Sequence, residues 1–186
     1  MKILISAAPL LALAGCGSPA AETANPGQNL NATAEATPSI AIEGNAAGQT
    51  SAMPAKQFAE TAAASDAYEL ASSKLALEKA QDTGLKAFAQ QMMRDHTEST
   101  ADLKVAAGSI VPDATLTAKH RSDITLLESA SGSGFAAYKS QQIAAHEQAL
   151  ALLQAYATSG DQPELTAFAA KTAPVVAGHL KMLTEM

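Results

Sequence analysis

The chain is short, rich in alanine and acidic, and these properties exclude several classes of protein. Its 186 residues suffice for one domain of ordinary size with appendages. The formal net charge of −6 gives no electrostatic support to nucleic acid as a partner. Aromatic residues make up only 4% of the chain and Trp is absent, which favours closely packed helices over a β-sandwich.

Residues 1–15 have the pattern of a secretory signal peptide. Lys2 supplies a positive charge, and the apolar run that follows it is too short to span a bilayer permanently. The run ends in LAGC, which resembles a bacterial lipobox, where a peptidase cuts before a cysteine that is then lipidated. We therefore expect lipidation of Cys16; the alternative is an ordinary signal peptide with an incidental cysteine. Since Cys16 is the only cysteine, no internal disulfide can form.

The lipobox resemblance also implies a location. Several acyl chains on Cys16 would hold the protein stably at a membrane, because each buried CH₂ group adds to the anchoring. The next residue is Gly17 rather than the aspartate that retains lipoproteins at the inner membrane in known sorting systems. The resemblance therefore implies a lipid-anchored protein of the bacterial cell envelope, attached to the outer membrane and facing the periplasm.

Residues 16–54 are expected to form a disordered tether. They are rich in Ala, Gly, Pro, Asn, Ser and Thr, they contain no Lys or Arg, and no apolar periodicity extends across them. A flexible chain of this length spans about 30–40 Å, which would hold a folded domain away from the membrane surface. The folded domain is predicted over residues 55–186.

Apolar residues recur with a helical period from residue 55 onward, and no segment alternates like a strand. The pattern predicts helix A at about 55–80, helix B at about 85–107, a short helix at about 116–130, helix C at about 135–157 and helix D from about 161 to the C-terminus. Short links join A to B and C to D, whereas a longer connection joins B to C. This arrangement predicts an all-α fold: a four-helix bundle with the crossover of ferritin-like proteins.

Two features of helix D follow from local chemistry. Asp161 is a candidate N-cap, with Pro163 early in the first turn. Pro174 lies inside the helix and is expected to kink it or to loosen one turn, because proline removes a backbone hydrogen bond.

Polar residues interrupt the apolar face of each long helix. With about 100° of rotation per residue, Glu69 faces inward on helix A, and a histidine faces inward on each of the other three: His96, His146 and His179. Counting residues from the connecting turns places all four near mid-height of the bundle. The remaining histidine, His120, lies beside Lys119 and Arg121 in the crossover and is expected to be solvated.

Imidazole and carboxylate groups are the usual ligands of Zn, Fe, Mn or Cu, and the cores of helical bundles are common places for them. We therefore interpret Glu69 and the three histidines as a candidate site for one transition-metal ion, with Asp66 as a spare ligand one turn from Glu69. The alternative is a purely structural polar layer in which Glu69 accepts hydrogen bonds from the imidazoles. An unpaired buried polar group costs about 1–3 kcal/mol, so either interpretation must satisfy these side chains.

Three blocks carry the inward-facing histidines: AFAQQMMRDH, AAHEQAL, and a C-terminal segment in which a proline is followed by HL. Together with the acidic position at Glu69, they resemble a bacterial family called domain of unknown function 4142. The resemblance covers most of residues 55–186. It implies an exported protein with a ferritin-like helical fold, and it implies no particular reaction.

The sequence departs from di-iron ferritin-like proteins, which place Glu-x-x-His on two helices. Met93, Ile143 and Val176 stand three residues before the histidines, and none is a carboxylate. One ion is therefore the most that we expect, without iron storage or ferroxidase activity. Two functions remain open: an envelope lipoprotein that binds one ion for metal buffering, sensing or stress protection, and a non-enzymatic envelope interaction module whose core polar layer is structural.

Overall fold

The computed structural model describes residues 53–186, which form helices and no strand. The helices are α1 (Ala55–Lys79), α2 (Thr83–Ala107), α3 (Ala118–Ser129), α4 (Ala137–Ser159) and α5 (Pro163–Glu185), and a 3-10 turn at Gly132–Ala136 precedes α4. The prediction of an all-α fold is confirmed. Predicted helices A, B, C and D correspond to α1, α2, α4 and α5, with ends that differ by two residues or fewer.

The predicted signal peptide, Cys16 and nearly all of the predicted tether lie outside the described residues. Of the tether, only Met53 and Pro54 are described, and Met53 packs against apolar residues of the helical region. Within residues 53–186, no helix has both the length and the apolar content that a membrane span requires.

Local chemistry explains several helix ends. The Asp82 side chain accepts a hydrogen bond from the backbone N–H of Leu85 at 2.8 Å and caps α2, and Gly108 ends that helix with a φ of 61°. Asp161 does not cap α5. The N-cap residue is Gln162, and Asp161 instead accepts a hydrogen bond from the Tyr156 hydroxyl at 2.8 Å.

The four long helices pack in a ring around one interior. Connections at residues 80–82 and 160–162 are short, so α1 packs against α2 and α4 against α5 as antiparallel hairpins. The two hairpins meet through contacts of α2 with α5 and of α1 with α4. α3 lies in the longer connection and packs on α1 and α4. α5 continues through Pro174 as one helix, so residues on both sides of the proline face this interior.

Two apolar clusters fill the ends of the interior. The first surrounds Phe58, whose ring stacks on Tyr156 with centroids 3.8 Å apart. The second surrounds Phe88 and Tyr138, near the α1–α2 connection. The buried polar residues at the intermediate positions of the helices form what we call the polar layer: Asp66, Glu69, Ser72, Ser73, His96, Gln142, His146 and His179. The predicted site residues therefore lie at mid-height, where apolar packing is interrupted.

Candidate metal centre

Three histidines from three different helices converge in the polar layer. The three residues are His96, His146 and His179. Each offers one ring nitrogen, and these three nitrogens all lie within 4.8 Å of one another. We call these residues the histidine triad. Their ring centroids are 5.4–5.9 Å apart. All three side chains are buried. The packing of α2, α4 and α5 thus brings together the histidines on the inward faces.

His96 is oriented by a carboxylate from α1. Its Nδ1 atom lies 2.8 Å from Oδ1 of Asp66, and the Thr100 hydroxyl donates to Oδ2 of the same carboxylate at 3.2 Å. Because an ionised carboxylate only accepts hydrogen bonds, the neutral His96 ring donates from Nδ1 and presents the lone pair of Nε2. Asp66 therefore supports His96 from behind.

His179 is oriented in the same way by a carboxylate from α2. Its Nε2 atom lies 2.7 Å from Oδ2 of Asp95, which also accepts a hydrogen bond from the Gln91 amide at 2.6 Å. The neutral ring therefore donates from Nε2 and presents the lone pair of Nδ1. Asp95 is not among the residues predicted from the sequence, where its one signal is its position directly before His96 in MMRDH.

His146 uses a backbone carbonyl instead of a carboxylate. Its Nδ1 atom donates to the carbonyl oxygen of Gln142, one turn earlier in α4, at 2.9 Å. The lone pair of His146 then lies on Nε2.

Three ring nitrogens have no hydrogen-bond partner among the described residues: His96 Nε2, His146 Nε2 and His179 Nδ1. In the neutral tautomers above, which are the forms that bind metal, all three are acceptors. Each unsatisfied buried acceptor costs about 1–3 kcal/mol. One cation would satisfy all three, and an imidazole backed by a carboxylate or a carbonyl is the usual arrangement of metal-binding histidines.

The spacing of the triad fits one ion. A tetrahedral zinc site, with Zn–N distances of about 2.0–2.1 Å, requires its nitrogens to be roughly 3.4 Å apart. The triad nitrogens are separated by no more than 4.8 Å, so each pair would have to approach by about 1.4 Å at most to reach that geometry. The residues present therefore fit a single transition-metal ion.

Glu69 lies behind His146 rather than among the unpartnered ring nitrogens. Its Oε1 atom is 3.8 Å from His146 Nδ1, the nitrogen that donates to Gln142, and its Oε2 atom has no partner among the described residues. The group of side chains close enough to share one ion contains the three histidines without Glu69. Burial raises the pKa of Glu69 to about 7, although the charge of His96 opposes this rise.

Burial and neighbouring charges separate the pKa values of the three imidazoles. Burial alone would lower the pKa of His96, but the hydrogen bond to Asp66 and the nearby carboxylates raise it above its ordinary value. Burial lowers the pKa of His146 to about 3 and also lowers the pKa of His179. His146 and His179 are therefore neutral near pH 7, which is the form of imidazole that binds metal.

His120 was predicted to be solvated, but the structure shows it partly buried. Its ring stacks on Tyr68 of α1 with centroids 4.6 Å apart, and its Nδ1 atom is buried without a partner among the described residues. Burial lowers the pKa of His120. The expectation failed because α3 packs back on α1, a long-range contact that the charged neighbours of His120 do not reveal.

Comparison with known proteins gives a family. The sequence profile of the family described as Domain of unknown function (DUF4142) matches residues 41–186, and this range includes all five helices and the histidine triad. No curated protein and no solved structure gave a significant match. Because the family profile extends over most of the chain, the protein belongs to the DUF4142 family.

Proposed function

We propose that this protein binds one transition-metal ion through His96, His146 and His179. The observation that carries the proposal is the orientation of the three rings. Each ring keeps one buried nitrogen without a partner among the described residues, and its other nitrogen is held by a carboxylate or a backbone carbonyl. Neutral imidazoles in this arrangement suit Zn, Fe, Mn or Cu, and the triad itself contains no sulfur ligand that would favour one of them.

The acidic residues around the triad compensate the charge of the ion. Asp66 and Asp95 each contact one triad histidine, and Glu69 lies beside the third. A divalent ion introduced among neutral imidazoles is a buried charge, which is costly unless opposite charges lie close by. We assign these carboxylates to the support of the ligands, with Glu69 as the reserve ligand should its side chain turn towards the ion.

The setting of the proposed site is the cell envelope. The lipobox-like LAGC at residues 13–16 supports a lipoprotein anchored through Cys16, and the glycine that follows supports the outer membrane facing the periplasm. The order of packing, two hairpins joined by a crossover that contains α3, supports a ferritin-like four-helix bundle. In that setting the ion would serve metal buffering, sensing or stress protection.

A second candidate function is a non-enzymatic interaction module whose polar layer is structural. The observation in its favour is a set of hydrogen bonds between α1 and α4 that needs no ion. Ser73 and Tyr138 are joined at 2.9 Å, and the Gln142 amide donates to Ser72 at 3.1 Å. Such bonds fix the register of two helices, but they leave the three triad nitrogens unsatisfied.

The deciding experiment is the metal content of the full-length protein, purified without a histidine tag or a chelator and measured by mass spectrometry. We expect close to one ion per chain in the wild type and none in the double variant His96→Ala, His146→Ala. His120→Ala is the matched control and should retain the ion, because His120 lies outside the triad. Metal-free wild-type protein that also gains no thermal stability with Zn, Cu, Mn or Fe would contradict the proposal.

A further inference from the structure

We propose that the cavity beside His96 and His179 admits a small uncharged molecule, of the size of dioxygen or nitric oxide, to an open position on the bound ion. This inference rests on the proposed metal binding. It adds a ligand class and a route of access to that site.

The cavity is partly open to the surface and is lined by two of the triad histidines. Its volume is about 40 Å³, and residues of all four long helices line it. His96 and His179 are part of its wall, whereas His146 is not. A water molecule needs roughly 10–15 Å³ measured in this way, so the cavity holds two or three waters or one diatomic molecule.

Three protein ligands leave an ion with a vacant position. Catalytic zinc sites with three protein ligands take water or substrate at the fourth position, whereas structural sites are closed by four. Around His146, Phe88 packs with ring centroids 5.9 Å apart, and Glu69 and the Gln142 carbonyl occupy the region of Nδ1. The cavity is lined by His96 and His179 and by none of these residues around His146, so an exogenous ligand would reach the ion from the cavity.

The charges around the cavity favour an uncharged ligand. Asp66 and Asp95 line it, and both carboxylates already accept hydrogen bonds from triad histidines. With neutral imidazoles, these two carboxylates balance a divalent ion, so a further anion would add an uncompensated buried charge. The rest of the wall is aliphatic and aromatic apart from three hydroxyls, which belong to Ser65, Ser99 and Thr172.

A groove between α2 and α5 shares part of its wall with this cavity. Asp95, Ser99, Thr172 and Val175 line both the cavity and the groove. Glu98 and Asp102 add acidic groups to the outer part of the groove, and Lys171 is paired with Asp102 at 2.6 Å. The acidic rim disfavours the approach of anions and leaves neutral molecules unaffected.

The test uses nitric oxide on the Fe(II)-loaded full-length protein under anaerobic conditions, with the iron nitrosyl read by electron paramagnetic resonance. The variants Thr172→Leu in α5 and Ser99→Leu in α2 each place a larger side chain in the wall that the cavity and the groove share. We expect both variants to keep their iron and to bind nitric oxide about tenfold more weakly or worse. The matched controls Ala170→Leu and Ala101→Leu add the same side chain at exposed positions of α5 and α2 and should bind it as the wild type does.

A second arm tests the charge of the ligand. Azide added to the Co(II)-loaded protein should leave its visible spectrum unchanged, because the carboxylates oppose an anion. A spectrum that changes with azide would overturn the assignment to an uncharged ligand. The role of the cavity would be overturned if Thr172→Leu and Ser99→Leu both bound nitric oxide as tightly as the wild type. It would also be overturned if both variants lost their iron while retaining their helix content. Wild-type protein that takes up no metal would instead refute the proposed function, and the inference with it.

Discussion

The Nδ1 atom of His96 lies 2.8 Å from a carboxylate oxygen of Asp66, and this hydrogen bond leaves Nε2 as the ring nitrogen that is free to bind a ligand. Asp95 does the same for His179 at 2.7 Å. In both cases a carboxylate that could have been a ligand instead holds an imidazole in the orientation that a ligand needs.

Asp95 can be tested as a positioning residue. Asp95→Asn should lower metal affinity about 10- to 100-fold while all three histidines remain, because the imidazole of His179 loses its charged partner. Zinc affinity measured by competition with a chromophoric chelator provides the readout. Asp102→Asn, on the same helix but paired with Lys171 at the surface, is the control and should leave the affinity unchanged. Equal affinities in both variants would show that Asp95 does not support the site.

Metal binding should stabilise the fold. Zinc at about 100 times its dissociation constant should add about 2.7 kcal/mol to the free energy of unfolding, because only the folded chain assembles the triad. For a domain of this size that corresponds to a rise in Tm of roughly 7–10 °C, measurable by circular dichroism. The variant His179→Leu should show no such rise. If it gains as much Tm as the wild type, zinc binds elsewhere.

Glu69 should make the metal-free protein less stable at high pH. Burial raises its pKa from the ordinary value of 4.5 to about 7, so the folded state keeps a proton that the unfolded state has released. The free energy of unfolding therefore falls as pH rises from about 4.5 to 7, and the full cost is present above pH 7. Glu69→Gln should remove that cost. The free energy of unfolding should rise by something on the order of 1–3 kcal/mol at pH 8 and should change little below pH 4.5.

Other titratable groups lie close to Glu69, and they determine the pH values at which the stability of wild type and Glu69→Gln should be compared. His96 from α2, His146 from α4 and Asp66 from its own helix lie around it. The lowered pKa of His146 acts at the other end of the range: stability is lost as pH falls from about 6.5 towards 3, in wild type and variant alike. Urea denaturation at pH 5 and pH 8 separates the two effects. If the free energy of unfolding of Glu69→Gln differed from that of the wild type by the same amount at both pH values, the buried-carboxylate explanation would be wrong.

Replacing glycine by alanine should have opposite effects on the stability of the fold at two positions. A Cβ atom on Gly160 would lie 2.5 Å from the Tyr156 ring and 2.7 Å from the Thr166 hydroxyl, so Gly160→Ala should destabilise the fold by about 1–3 kcal/mol. A Cβ atom on Gly178, inside α5, meets nothing within 4 Å. Gly178→Ala should therefore stabilise the fold by roughly 0.5–1 kcal/mol through helix propensity. Thermal unfolding of both variants gives the comparison, and a Gly160→Ala protein as stable as the wild type would contradict the predicted clash.

The sequence by itself determined the helices and the residues that face inward. Helical periodicity is a local property, since a rotation of about 100° per residue sets the side of each helix on which a side chain lies. This sufficed to predict four long helices, the short helix in the crossover, and His96, His146 and His179 as inward-facing residues near mid-height. It did not suffice for His120, whose stacking on Tyr68 depends on where α3 packs.

Only the tertiary structure decided how these residues meet. Glu69, on an inward face like the histidines, lies behind His146, while Asp66 and Asp95 hold His96 and His179. A shift of a few ångströms or a change of side-chain rotamer separates a ligand from a residue that supports one. Both depend on how neighbouring helices pack and not on the pattern within any one helix. The unpartnered nitrogens and the cavity beside them likewise exist only between helices, where no single segment of the sequence encodes them.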